Sequence, residues 1–364
     1  MLKVLLIILC VLLALLLAAY AFFAVMTKPV SDTDENRYAV GNMVVSDTVE
    51  YQAESGKGIK YHPMVKMMEV VWRFCADSDA KVHAAQTPPA DVTEVTDIPY
   101  LDDGNIYHRL DVYYPAGRDD IRSLPMIVDI HGGGWIYGDK ELNKYYCLEL
   151  AHKGYVVFNI SYRLVPDVTV NEQLQDCLAA MQYINNNYRQ FTDNPTMLLT
   201  GDSAGGMLSA YTAAIMASEE LQETFAAEYY ANGIMPKALL LTSPVAFMKS
   251  GGAFSLYTKP LWGSDYETKA TYGYMDLSEI IDEAVLPPTY LITSSGDALA
   301  HDQTLRAYEL LQEKGIACQL ADYDTTDENG KQLQHVFSVL NPFNEAGQTA
   351  IDAALAFYQE AMTQ

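Results

Sequence analysis

Thr200-Gly201-Asp202-Ser203-Ala204-Gly205-Gly206-Met207 constrains the fold more tightly than any other stretch of this 364-residue chain. Before it, Thr196-Met197-Leu198-Leu199 is short, apolar and bounded by Pro195, which reads as a buried strand. After it, Met207 to Ser218 is rich in Ala, Met, Leu and Ile and reads as a helix. Passing from strand to helix in so few residues crowds the side chains on both sides of the turn. Gly201 and Gly205 relieve the crowding and leave Ser203 projecting at the tip. In isolation the same pattern also describes a plain tight turn with an exposed serine, so the rest of the chain has to decide.

From about residue 100 onward the chain alternates. "IYHRLDVYYP" suits an antiparallel edge strand, and "PMIVDIHGGG" is an apolar strand running into glycines. "YVVFNISYR" is a further buried strand, followed by a helix from about Val170 to Tyr188. The Ser203 turn comes next, then "KALLLTSP", "PTYLITSSGD", a helix from about His301 to Lys314, "ACQLADYD", and a last helix from about Glu345 to Met362. Apolar strands alternating with helices predict an α/β fold, a mostly parallel sheet with helices on both faces. A Tyr- and Gly-rich insert, Val245 to Leu286, lies where such sheets bind ligands, at the carboxyl ends of the strands.

The N-terminal part reads differently. Val4 to Met26 carries no charge and is long enough to span a hydrocarbon core of about 30 Å. Signal-peptide cores run about 7–15 residues, which favours an uncleaved membrane anchor, although Ala19-Tyr20-Ala21 fits a cleavage site. The basic residues give a slight bias toward an inside N-terminus, with the catalytic part outside the cytoplasm and secretion after cleavage as the alternative. Residues 29 to about 55 read as a polar, acidic linker. Pro63 opens a helix, "PMVKMMEVVWRFC", either packed on the core or capping an acyl pocket, and residues 84 to 97 read as a loop with an edge strand. The expected organisation is a membrane segment at 1–28, a linker and cap segment at 29–99, and a catalytic unit at 100–364 carrying the insert 245–286. Net charge of −24 argues against nucleic acid as a partner. Five scattered cysteines and no CxxC or HExxH spacing provide no recognisable metal site, and nothing calls for a cofactor. Oligomeric state leaves no signal in the sequence.

A serine hydroxyl becomes nucleophilic only when a base takes its proton, and that base needs an orienting carboxylate. His301 and His335 are the histidines after Ser203. His301 begins a predicted helix just beyond Asp297, whereas His335 lies in the connection after the last strand, where an imidazole can reach over the sheet. His335 is the better base. Among Asp297, Asp302 and Asp324, Asp297 directly follows a strand and is the favoured acid. Asp202 reads as a brace for the turn. "HGGGW", His131 to Trp135, follows a strand, and consecutive glycines let backbone N–H groups turn toward a developing oxyanion.

Taken together, "VDIHGGGWIYGDK", "NISYRLVP", "TGDSAGGM", "SSGDALAHD" and "QHVF" resemble the hormone-sensitive-lipase-like branch of α/β-hydrolase esterases, over residues 100 to 364. The resemblance implies Ser203 as nucleophile, Asp297 as acid and His335 as base. It also implies an oxyanion hole from Gly133, Gly134 and Ala204, within a motif that includes His131, Gly132 and Trp135. Tyr162-Arg163 is carried over as structural. Asp297-Ala298-Leu299 and His335-Val336-Phe337 depart from the family's common Asp-Pro-Leu and His-Gly-Phe. The implied activity is hydrolysis of a small-molecule carboxylic ester, short-acyl in preference, without metal or cofactor. The rivals are an arylformamidase-type amidase on the same triad and a non-catalytic binding protein on a hydrolase scaffold.

Overall fold

The computed structural model describes residues 2–26, 63–165, 167–229, 233–250 and 256–363. The sheet has eight strands: β1 (Val92–Pro99), β2 (Arg109–Pro115), β3 (Met126–Ile130), β4 (Val156–Ile160), β5 (Met197–Asp202), β6 (Pro236–Thr242), β7 (Thr289–Ser294) and β8 (Cys318–Tyr323). Their order is β1-β2-β4-β3-β5-β6-β7-β8. β1 with β2 and β2 with β4 run antiparallel, and every later pairing is parallel.

The two-residue period of a strand explains why the sheet is covered on both sides. Tyr113, Ile127, Val157, Leu198, Leu240 and Ile292 point to one core, where Tyr146, Leu150, Ile351 and Tyr358 meet them. These partners belong to α3 (Lys144–His152) and α11 (Glu345–Thr363). Val112, Val128, Phe158, Leu199, Leu239 and Leu291 point to the other core, against Leu174, Leu178, Leu208 and Leu311. Those partners come from α4 (Val170–Asn187), α5 (Ser203–Ala217) and α9 (His301–Glu313). α4 is started by a reciprocal cap between Thr169 and Glu172, the sequence signature of a helix N-terminus.

Three sequence expectations shift. The strand at "IYHRLDVYYP" is antiparallel but internal, because β1 pairs outside it and takes the edge. The helix after the serine begins at Ser203 rather than Met207, since Gly205 and Gly206 pack tightly enough to lie within its first turns. The helix opened by Pro63, α2 (Pro63–Ala84), continues past Cys75 through a polar stretch because Val82 and His83 still pack inward. α1 (Leu2–Met26) is a single apolar helix, and the linker reading at 29 to 55 lies outside the described residues.

The described part of the insert after β6 is packed. It forms the short helices α7 (Thr258–Trp262) and α8 (Leu277–Glu283), and buries Leu261, Trp262, Met275, Leu277 and Ile280. α6 (Glu219–Phe225) and α10 (Phe337–Leu340) complete the helices named here.

Candidate active site

β5 ends at Asp202 and α5 begins at Ser203, with no residue between them. Ser203 therefore takes the left-handed conformation, φ 50°. Such a turn closes only if the helix can approach the neighbouring strand. A Cβ on Gly205 would stand 2.0 Å from the Ile130 carbonyl oxygen, so only glycine fits. Asp202 is buried behind the turn and accepts from the Gly132 N–H at 2.9 Å and from Asn143 Nδ2 at 2.8 Å. Burial raises the Asp202 carboxyl above its ordinary range, opposed by Asn143, the His335 charge and the Gly132 N–H. Asn143 donates to Asp129 as well, at 2.9 Å. Burial, reinforced by the Asp202 charge, raises the Asp129 carboxyl far above its ordinary range.

The structure brings Ser203, His335 and Asp297 together. Ser203 Oγ lies 3.0 Å from His335 Nε2, and His335 Nδ1 lies 2.9 and 3.0 Å from the two Asp297 oxygens. Since an ionised carboxylate only accepts, Nδ1 carries the hydrogen in this arrangement and Nε2 is left to accept from the serine. Burial alone would raise the Asp297 carboxyl. The hydrogen bond and charge of His335, with the Ala300 N–H and the Ser243 hydroxyl, hold it below the ordinary carboxylate range. The loops bearing Asp297 and His335 are also tied to each other. Ser294 Oγ donates to the Leu333 carbonyl at 2.7 Å, and a Cβ on Gly296 would stand 2.1 Å from that same oxygen.

The rejected candidates lie elsewhere. His301 faces Asp322, with Nε2 3.1 Å from its carboxylate, and the Asp302 side chain is 98% exposed. Asp324 accepts the Ser295 hydroxyl at 2.6 Å.

The glycine loop is oriented by what its carbonyls do. In a trans peptide the C=O and the following N–H point in opposite directions. The Gly132 carbonyl accepts from His131 Nδ1–H at 2.8 Å and from the Tyr162 hydroxyl at 3.2 Å, which turns the Gly133 N–H the other way. The Gly133 carbonyl accepts the N–H groups of Ile136 and Tyr137 at 3.2 and 3.0 Å, which likewise turns the Gly134 N–H. The Ser203 carbonyl accepts the Val245 N–H at 3.1 Å, so the Ala204 N–H is also directed away, within the helix's unsatisfied first turn. Gly133 has φ +103°, and a Cβ there would stand 2.0 Å from the Tyr137 carbonyl oxygen. His131 is fully buried, stacked on Tyr162 at 4.3 Å between centroids, and burial lowers its pKa to about 4, so it is neutral. Trp135 is buried with φ 65° and closes the loop, its carbonyl accepting from Val165 N–H and Gln173 Nε2. Arg163 is committed to Asp176 by paired bonds of 2.8 and 2.6 Å.

Ser203, Gly133, Gly134 and His335 line a cavity of about 510 Å³. Its roof is α2, which contributes Met68, Val71, Trp72, Cys75 and Asp79, and the insert adds Tyr257. Sequence reasoning missed Asn143, Tyr137, Ser243 and Asp79. Tyr137 and Asn143 follow the glycine motif closely, which was the available signal, whereas Ser243 and Asp79 reach the site only through the fold.

Residues 110–239 match the family model BD-FAE. Esterase B from Lactobacillus rhamnosis, in a C6-C4 SN3 inhibited crystal structure, is 30% identical, with 83% of this chain and 98% of that chain covered at a TM-score of 0.77. The isoprenylcysteine alpha-carbonyl methylesterase ICME of Arabidopsis thaliana is 30% identical over 116 residues, 32% of this chain and 27% of that protein. Lipase 2 of a Moraxella species is 28% identical over 222 residues, 52% of this chain and 50% of that protein. The chain thus spans less than two thirds of the length of these curated relatives.

Proposed function

The chain belongs to the hormone-sensitive-lipase-like family of α/β-hydrolases, and from that membership we propose that it is a serine carboxylesterase with Ser203 as nucleophile, His335 as base and Asp297 as acid. One observation carries the proposal. A serine with its base at 3.0 Å shares a cavity with a glycine loop whose N–H groups are turned away from their own carbonyls' partners. In the first half-reaction His335 Nε2 takes the Ser203 proton as Oγ attacks the ester carbonyl. The N–H groups of Gly133, Gly134 and Ala204 receive the negative oxygen, and Asp297 stabilises the imidazolium. His335 then returns the proton to the leaving alcohol. Water enters by the same route and releases the acid from Ser203. The residues present require no metal or cofactor for these steps.

The apolar roof of Met68, Val71 and Trp72 supports an apolar acyl group, and we propose a short one. A cavity of about 510 Å³ sits within the range of about 300–1,000 Å³ that holds small ligands. The test is turnover of p-nitrophenyl esters from acetate to palmitate by wild type and Ser203→Ala, with matched anilides alongside. Serine-dependent turnover peaking at short acyl chains is expected. Turnover that survives Ser203→Ala would overturn the assignment, and anilides cleaved as fast as esters would favour the amidase.

One N-terminal helix is long and apolar enough to cross a membrane, with a mean hydropathy of 2.9 over Ile8–Val25 and none of that window buried. We propose that α1 is an uncleaved anchor holding the catalytic unit outside the cytoplasm. Its length supports this reading, since it exceeds a signal-peptide core.

A further inference from the structure

The cavity-facing side of α2 carries Met68, Trp72, Cys75, Asp79 and Val82 at three- and four-residue spacing, which is one helical face. Asp79 is the only carboxylate in that set. One of its oxygens accepts the Tyr137 hydroxyl at 3.2 Å. Among the described residues no donor meets the other oxygen, and no Lys, Arg or His lies at ion-pair distance from it. Tyr137 in turn stacks on Trp72, at 5.8 Å between centroids, and its N–H holds the Gly133 carbonyl. The Asp79 carboxylate therefore lines the same cavity as the glycine loop and is joined to it through Tyr137.

Packing does not account for that charge. The Tyr137 hydroxyl needs an acceptor, which a neutral amide would supply equally well, and an apolar wall disfavours an unpaired carboxylate. Burial raises the Asp79 carboxyl to about 6, with Asp202 adding to the rise and Tyr137 and His335 opposing it. At neutral pH the group is still mainly an anion, held there against its surroundings. The same cavity is lined by Asp202, Asp327 and Lys331, and the chain as a whole, with 47 acidic and 23 basic residues, attracts cations rather than anions.

We propose that Asp79 forms a cation-accepting subsite in the roof of the cavity, selecting esters that carry an ammonium group near the scissile carbonyl and turning away esters that carry a carboxylate. This rests on the reading of Ser203 as an esterase nucleophile. It adds that α2 contributes specificity as well as closure. Asp79 acts by positioning substrate and takes no part in the transfer of protons at Ser203.

The test uses isosteric pairs that differ only in charge, with the full-length protein at about pH 7.5. Choline butanoate against 3,3-dimethylbutyl butanoate places the ammonium in the alcohol, and p-nitrophenyl β-alaninate against p-nitrophenyl butanoate places it in the acyl group. Wild type is expected to favour the cationic member of at least one pair by about tenfold in kcat/KM, the size of one charge-assisted hydrogen bond. Asp79→Asn keeps an acceptor for Tyr137 and removes the charge, so the preference should collapse, with the change falling on KM of the cationic ester. Tyr137→Phe keeps the charge and should keep the preference, so a second variant reports even if the first folds poorly. No cation preference in wild type, or an equal preference in wild type and Asp79→Asn, overturns the subsite while leaving the esterase intact. Turnover of neither member of either pair strikes the esterase reading itself, and the subsite falls with it.

Discussion

Tyr162→Phe tests whether the glycine loop is held in place by the hydrogen bonds seen behind it. The Tyr162 hydroxyl is fully buried and donates to the His131 carbonyl at 2.8 Å and the Gly132 carbonyl at 3.2 Å. Removing it leaves Gly132 with the His131 Nδ1–H at 2.8 Å but strips His131 of the donor described here. One orphaned buried acceptor costs about 1–3 kcal/mol, and the ring's stacking on His131 survives. For a domain of this size that corresponds to a fall in Tm of about 2–4 °C per kcal/mol. The kinetic effect should be larger than the stability change suggests, because the second carbonyl that Tyr162 meets, that of Gly132 at 3.2 Å, belongs to the peptide whose N–H, on Gly133, is the proposed oxyanion donor. Complete loss of one oxyanion donor costs about 10²–10³ in kcat. A loop still held by His131, Ile136 and Tyr137 should lose part of that, about tenfold to a hundredfold. The loss should appear in kcat with KM little changed, since the oxyanion exists only beyond the ground state. Steady-state hydrolysis of p-nitrophenyl butanoate together with a thermal melt measures both. A melt lowered as expected with kcat within twofold of wild type would refute the reasoning, for it would mean that the N–H direction does not depend on this hydroxyl.

Four further outcomes are expected. Ser203→Ala should lower kcat by more than about 10⁴, read with the same ester. Asp297→Asn should lower kcat by about 10⁴ by misplacing the Nδ1 hydrogen; because the folded Asp297 pKa lies below its unfolded value, its stabilisation should be present above the ordinary carboxylate range and be lost as pH falls through the folded value, so wild type and variant melts should converge in acid. Asp79 has the opposite sign, its folded pKa being raised from 3.8 to about 6, so the penalty for its charge develops as pH rises through that interval; Asp79→Asn should exceed wild type in stability above about pH 6 by about 2 kcal/mol after allowance for solvent screening, and by little near pH 4, as urea titrations at both values would show. The full chain should stay with membranes through an alkaline carbonate wash, and deletion of residues 1–28 should release it with kcat/KM on a soluble ester within about twofold; extraction of the full chain by the wash would remove the anchor reading.

What could be read from the sequence was what local chemistry dictates. Ser203, Gly205 and the His131–Trp135 motif are legible because a strand that turns into a helix, or a loop that bares its N–H groups, tolerates few residue types at each position. The central strands are legible because burial on both faces leaves apolar runs, as in Met126–Val128 and Met197–Leu199. What escaped depends on pairing across the chain. Arg109–Pro115 alternates as an edge strand would, yet Val92–Pro99 lies outside it, and nothing in either segment states the order. Asp79 stands in a polar stretch of α2, "CADSDA", and only the crossing of that helix over the glycine loop makes it a cavity residue.

The departures from the resembling family's motifs show why pattern and packing have to be weighed together. Val336 replaces a common glycine directly after His335, and it takes the left-handed conformation that glycine would favour, φ 51°. For a side chain with a Cβ that conformation costs about 1–2 kcal/mol. Val336 is also 7% exposed and belongs to the core beneath α3 and α11, where burying such a side chain contributes about 1.5–3 kcal/mol. The burial term matches or exceeds the backbone cost and has the opposite sign, so the loop keeps the glycine-like turn and His335 keeps its place 3.0 Å from Ser203. Trp135, Ser203 and Ser243 share the positive φ, each at the end of a central strand or in the loop that leaves it. Of the non-glycine residues with positive φ, Asp97 and Ala226 lie elsewhere, but these four cluster near the carboxyl ends of the central strands, held by burial and hydrogen bonds from the sheet, which is where strain beside a site can be sustained. A substitution that breaks a motif's preferred residue while preserving its dihedral angles leaves the chemistry in place, and Val336 is such a substitution.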